Sequence, residues 1–189
     1  MKIRFAKETW NTDEITYAYS YRFDATPTFE QQEECVKNCQ NPEAVYGFDN
    51  ISLLTRKKYG PDAKISTRCS FEDMGAPLIV IADALYEDSH AVMKYGNYIE
   101  VVLYKGGVNV WRMKMRDGKV TWKLLMGVSF PVSENEIHTL SVEIKSNMLA
   151  IQADDKRMSL RIENMYSMFH LGINACEGIN RFYDLEIEG

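Results

Sequence analysis

Several absences narrow the reading of this chain before any motif is considered. It has no long apolar run: an apolar stretch such as Pro77 to Ala82 is far too short to cross a bilayer as a helix. It has no basic surplus either. With 22 Lys and Arg against 27 Asp and Glu, the formal net charge is −5. Proteins that grip a phosphate backbone need a clustered excess of cations, so no nucleic-acid partner is expected, and no membrane partner. Proline (5) and cysteine (4) are sparse, which excludes collagen-like and disulfide-scaffold classes.

The four cysteines, Cys35, Cys39, Cys69 and Cys176, are scattered, and only the first two are close. Spaced i, i+4, they would share one face of a helix. A metal site would need two more ligands, and no C-x-x-C or H-x₃-H partner is present, so no metal and no cofactor are expected. Gly-rich phosphate cradles and a Gly-x-Ser-x-Gly elbow are also missing. Residues 1–25, beginning MKIRFAKETW, contain no apolar core of a secretory signal. Read as it stands, the chain is expected to be cytoplasmic with reduced thiols; as an excised domain it would be extracellular.

What is present is ordinary globular material. The chain has 189 residues, 46% hydrophobic and 26% charged, a length that suits one domain with a sizeable core. Most of it reads at a period of two. Ile15, Tyr17, Tyr19, Tyr21 and Phe23 alternate with polar or small residues, as do Ala63, Ile65, Thr67, Cys69 and Phe71. Further strands are expected near 50–57, 78–85, 98–105, 108–115, 120–130, 138–145, 148–153, 157–162, 169–176 and 181–187, with turn signals such as Gly106-Gly107 and Asp117-Gly118 between them. One segment breaks the pattern: Thr26-Pro27-Thr28 followed by FEQQEECVKNCQN reads as a short capped helix over about 28–39. A dozen short strands with one small helix predict an all-β, two-sheet antiparallel sandwich or barrel.

Folding YIEVVLYKGGVNVWRMKMRDGKVTWKLL on paper separates two surfaces. If Gly106-Gly107 is a two-residue turn, Leu103 pairs Val110 and Val102 pairs Trp111. Ile99, Val101, Leu103, Val108 and Val110 then share an aliphatic face. Tyr98, Glu100, Val102, Tyr104, Asn109, Trp111 and Met113 share the other, and a turn at Asp117-Gly118 adds Trp122 opposite Met113 and Leu124 opposite Trp111. Aromatic rings beside carboxylate and amide groups are what a sugar needs: rings stack on its C–H faces while the polar groups take its hydroxyls. The same surface can also be the larger half of a core, since a one-residue slip would exchange the two faces.

At this point the chain resembles a known superfamily. PLIVIADAL followed by NYIEVVLYKGGVNVWRM, then IHTLSVEIKSNMLAIQADDKRMSL, then FHLGINACEGINRFYDLEI are similar to successive strand pairs of the concanavalin A-like lectin/glucanase jelly roll, especially its laminin-G-like and 3-keto-disaccharide-hydrolase-like branches. The likeness covers about residues 63–189. It implies a bent jelly-roll sandwich, here one domain over residues 1–189, whose concave sheet often forms a saccharide groove. It does not by itself imply catalysis. The glucanase branch carries a Glu-hydrophobic-Asp-x-x-Glu strand mid-chain, and this sequence has none. Asp184, Glu186 and Glu188 alternate on the final strand, where they read as a solvated face with Phe182, Leu185 and Ile187 turned to the core.

These readings give three expectations. The first is a carbohydrate-binding module for an oligo- or polysaccharide, using Tyr98, Glu100, Tyr104, Asn109, Trp111 and Trp122. The second is a glycoside hydrolase of the 3-keto-disaccharide-hydrolase type, with Glu100 or His90 in acid–base roles; Asp83, Glu87 and Glu177 are possible partners for Glu100, and no spacing rule selects one. The third is a protein-interaction module using the same aromatic face. The loop ACEGINRFYD gathers Glu177, Asn180 and Arg181, either at a groove end or only for turn geometry. Oligomeric state is left open.

Overall fold

Alternation of apolar and polar side chains becomes strand along most of the chain. The computed structural model describes residues 1–44, 47–116 and 119–189. Its first strands are β1 (Lys2–Arg4), β2 (Ile15–Tyr17), β3 (Tyr19–Ser20), β4 (Glu30–Gln31), β5 (Val36–Lys37) and β6 (Ile51–Thr55). The middle supplies β7 (Lys64–Glu72), β8 (Ala76–Ala82), β9 (Leu85–Glu87), β10 (Met93–Tyr95), β11 (Tyr98–Tyr104), β12 (Gly107–Arg116) and β13 (Lys119–Ser129). The remainder forms β14 (His138–Lys145), β15 (Met148–Ala153), β16 (Lys156–Arg161), β17 (His170–Cys176), β18 (Ile179–Phe182) and β19 (Asp184–Glu188).

Two large antiparallel sheets form a sandwich. One runs β16-β15-β14-β7-β18-β5-β4, with β19 also on β7 and β1 on β19; the other runs β13-β12-β11-β8-β17-β6-β2. The core lies between them. Ile79, Ile81, Val101, Leu103, Val110 and Ile173 from the seven-stranded sheet meet Ile65, Phe71, Leu140, Val142, Ile151 and Phe182 from the nine-stranded one. Leu185 and Ile187 are buried as the final-strand pattern requires, while Asp184 pairs with Arg68 and Glu186 with Lys2.

Strand β8 is buried along its whole length. Its Ile79 and Ile81 enter the main core, and Leu78, Val80 and Ala82 face the other way. There they meet Ala18, Leu54, Tyr95, Tyr98 and Met113 in a second apolar cluster. A continuous apolar run such as PLIVIA is the signature of a strand covered on both faces. The cover comes partly from a three-stranded sheet, β3-β10-β9, that the alternation did not predict.

Three expectations change. The helix over 28–39 is instead a hairpin: Glu30 pairs Lys37, Gln31 pairs Val36, and Gln32 N donates to Cys35 O at 2.8 Å. Pairing of β5 with β18 buries Val36, and Phe29 sets its ring edge-on to Phe182 at 5.9 Å. Tertiary pairing at the sheet edge has overridden a weak local helix preference, and Cys35 and Cys39 share no helix face. The strand expected from Ile15 to Phe23 breaks at Ala18, so that β2 joins the large sheet and β3 the small one. The strand at 181–187 breaks at Tyr183, letting β18 and β19 pair with different stretches of β7.

The β7–β8 and β17–β18 connections cross from one large sheet to the other, and both use left-handed backbone. Asp73, Met74, Glu177 and Gly178 have φ of 51°, 65°, 40° and 59°. A Cβ on Gly178 would lie 2.1 Å from Gly75 N and 2.4 Å from Asp73 O, so the turns touch backbone to backbone. Buried amides hold them: Asn180 Nδ2 donates to Cys176 O and Glu177 O, and Asn38 Nδ2 donates to Gly178 O, each at 3.0 Å. Gly178→Ala is therefore expected to cost about 2–4 kcal/mol in urea unfolding. A loss below about 1 kcal/mol would mean that the turns separate freely.

Candidate functional site

The first central hairpin presents its side chains as the paper folding anticipated, through a different turn. Glu100 pairs Trp111, Val102 pairs Asn109 and Tyr104 pairs Gly107, which makes Lys105-Gly106 the turn. This register differs by two residues from the expected one, so every side chain keeps its face. Gly107 lies inside β12, paired with Tyr104 and Ser129, and only glycine fits there because a Cβ would meet Val128 O at 2.0 Å. In the next hairpin Trp122 lies opposite Met113 and Leu124 opposite Trp111, and a bulge then pairs Val110 with Met126. The Asp117-Gly118 turn itself lies outside the described residues.

The outer face of this sheet opens into a groove of about 650 Å³. Its floor is made by Tyr98, Glu100, Val102 and Tyr104 of β11, Asn109 and Trp111 of β12, Trp122 of β13, and Asn174 and Cys176 of β17. Ser20, Arg22, Phe23, Met74 and Glu177 complete its walls. The structure thus brings together all six residues singled out for ligand contact. Met113 is buried beneath them, and His90 sits in an exposed turn outside the groove lining, its N–H donating to Asp88 Oδ1 at 2.8 Å. Asp83 and Glu87 do not line the groove, whereas Glu177 does.

The aromatic side chains form a chain of edge-to-face contacts. Tyr95 meets Tyr98 at 4.9 Å, Tyr98 meets Trp122 at 5.9 Å, and Trp122 meets Trp111 at 6.4 Å. The Arg22 guanidinium lies over the Trp122 ring at 4.8 Å and so occupies part of that indole surface. Trp122 is still 39% exposed. Beneath the rings runs a hydroxyl–amide network: Ser52 Oγ and Tyr95 OH share a hydrogen bond of 2.8 Å, and Asn174 Nδ2 donates to Ser52 Oγ at 2.6 Å. Asn174 is only 2% exposed, and among the described residues its Oδ1 has no hydrogen-bond partner.

Glu100 sits in register between Val80 of β8 and Trp111 of β12. Burial on this floor pushes its carboxyl up to about 7. The Arg22 guanidinium opposes that shift and the Glu177 carboxylate adds to it. Among the described residues, no three His, Cys, Asp or Glu side chains gather to hold a metal ion.

Comparison with known proteins now bears on the fold. No protein-family model matches the sequence, and neither does any curated protein. Solved structures do match. β-Agarase A from Zobellia galactanivorans superposes with a TM-score of 0.70 at 8% identity, over 99% of this chain and 89% of that one. A glycoside hydrolase family 16 endo-glucanase from Bacteroides ovatus gives 0.65 at 11% identity, over 100% and 99%. The carbohydrate-binding module CBM66 from Bacillus subtilis gives 0.56 at 14% identity, over 77% and 89%. The fold is the concanavalin A-like jelly roll. Within this jelly roll, Asn174 of β17, two strands from β11 across β8, and Glu177 of the turn that follows β17 line the same groove as Glu100. The sequence signal for Asn174 was a lone amide inside the apolar strand LGINAC; Arg22 carried none beyond its place in an alternating strand.

The Glu100 environment has a consequence for stability. Its folded value, about 7, lies above the ordinary carboxyl value of 4.5. Between these limits the folded state keeps a proton that the unfolded state has released, so stability falls as pH rises through this window. Relative to Glu100→Gln, the wild type is expected to lose about 2–3 kcal/mol between pH ~4.5 and ~7.5. Urea titrations at the two pH values check this, and parallel curves for the two proteins would contradict it.

Proposed function

We propose that this jelly roll binds a saccharide in the groove on its seven-stranded sheet. The observation that carries the reading is the groove itself: two tryptophans and three tyrosines beside carboxyl and amide groups, with space inside the range of about 300–1,000 Å³ used by ligand sites. Trp111, half-buried in the floor, is the main stacking platform, since Arg22 already covers part of Trp122. Tyr98 and Tyr104 border it, and Glu100 and Asn109 take sugar hydroxyls. A protonated Glu100 donates a hydrogen bond as well as accepting one, which suits hydroxyl groups better than a fixed anion does. The presence of a carbohydrate-binding module and several glycoside hydrolases among the structural neighbours supports a saccharide ligand.

Calorimetric titration across a panel of soluble oligo- and polysaccharides tests this reading. At least one saccharide is expected to bind, and Trp111→Ala to weaken that binding about 10–100-fold while the protein stays folded. No heat of binding across the panel, or equal affinity in Trp111→Ala, would overturn the proposal.

A further inference from the structure

Charge is spread unevenly over this molecule. None of its 27 Asp and Glu lies in β12, β13 or β16, whereas these strands hold Arg112, Lys114, Lys119, Lys123, Arg157 and Arg161. In a chain of net charge −5 this is a marked local excess of cations. Strands β13 and β16 are also the last strands of their sheets, so each leaves one edge unpaired among the described residues. Between them opens a slot of about 450 Å³, lined by residues of β12, β13 and β16 and of the turn after β16. Leu125, Leu160 and Ile162 make part of its lining apolar. Four cations line it against one acid, Glu163, among the described residues.

The slot is built rather than incidental. Buried Arg112 donates from Nη1 to Glu163 O at 2.5 Å and from Nη2 to Asn164 O at 2.6 Å, which ties the turn after β16 to β12. Lys114, Lys123 and Arg161 pair with no carboxylate among the described residues. Along β13 the side chains alternate in character. Thr121 and Lys123 sit opposite Lys114 and Arg112 and line the slot, whereas Val120 and Trp122 sit opposite Met115 and Met113 on the groove face. The free edge of β13 therefore presents cations on one side and apolar groups on the other. Edge lysines deter pairing with a second copy of the same strand, because like charges would meet. They do not deter an acidic strand. An edge of 11 residues, roughly 35 Å long, also offers a row of N–H and C=O groups that an extended polypeptide completes by regular pairing.

We propose that the free edge of β13 binds an extended polypeptide in which acidic and apolar residues alternate. The segment adds as a further strand of the seven-stranded sheet. Its acidic side chains lie on the slot side beside Lys114, Lys123 and Arg161, and its apolar side chains lie on the groove side beside Val120 and Trp122. Backbone pairing supplies the affinity, and the match of charge and alternation supplies the selectivity. This site does not depend on the saccharide reading, although Trp122 borders both.

Fluorescence anisotropy on the full chain tests this with a labelled, end-blocked peptide that alternates glutamate with valine. The wild type is expected to bind it. Lys123→Glu, at an exposed position, is expected to weaken binding about tenfold or more, and so is lysine in place of glutamate in the peptide. Two further peptides carry N-methyl groups on every valine or on every glutamate, changes that leave the protein untouched. Successive residues of a strand turn their N–H groups to opposite edges, so only one set can face β13. One of the two peptides is therefore expected to lose at least about tenfold in affinity while the other stays within a few-fold of the parent. No binding of the parent peptide, or the same affinity for both methylated peptides, would overturn the proposal. Equally tight binding of polyglutamate, alginate or a single-stranded oligonucleotide would also overturn it, by making this end of the sandwich a surface for polyanions in general.

Discussion

The burial of β8 on both faces constrains the rest of this structure. Pro77 to Ala82 is apolar on both sides of the sheet, and each of its Leu, Ile and Val side chains contributes about 1.5–3 kcal/mol when removed from water. The inner side is satisfied by the nine-stranded sheet. The outer side needs a second cover, supplied by Ala18, Leu54, Tyr95, Tyr98 and Met113. This cover reaches only part of the sheet. Where it ends, the same outer face continues as Val102, Tyr104, Asn109 and Trp111, and the step between covered and uncovered regions is the groove.

That origin accounts for the chemistry found there. Tyr98 belongs to the cover and to the groove wall at once: it is buried against Tyr95 and still borders the open space. Glu100, one pleat further along β11, lies close enough to the cover to lose much of its hydration and close enough to the opening to keep some. Arg22 and Glu177 then act on it in opposite directions from the two walls.

Much of this was legible in the sequence, because the side-chain period of a strand is two. The faces of β11, β12 and β13 could be separated on paper, and they survived a two-residue error in the turn because an even shift exchanges nothing. What the sequence could not carry was long-range. Glu30–Gln31 and Val36–Lys37 form strands only because β18 offers them an edge, so a local reading of FEQQEECVKNCQN favoured a helix. The small sheet of β3, β9 and β10 was hidden for the same reason, each strand being two or three residues long. Glu177 was visible as a candidate next to Glu100, but no spacing rule joins residues on β11 to a turn 77 positions later. Their place in one groove depends on β8 and β17 lying side by side and on the two stacked turns at the end of the sandwich.

The most direct measurement of the central claim is a chemical-shift map of the isotopically labelled chain during titration with a saccharide that binds. The account predicts shifts concentrated on the indole groups of Trp111 and Trp122, the side-chain amides of Asn109 and Asn174, and the carboxyl carbon of Glu100, with the nine-stranded sheet silent. Shifts gathered on the far sheet or along the β16 edge, with these groups unmoved, would contradict it.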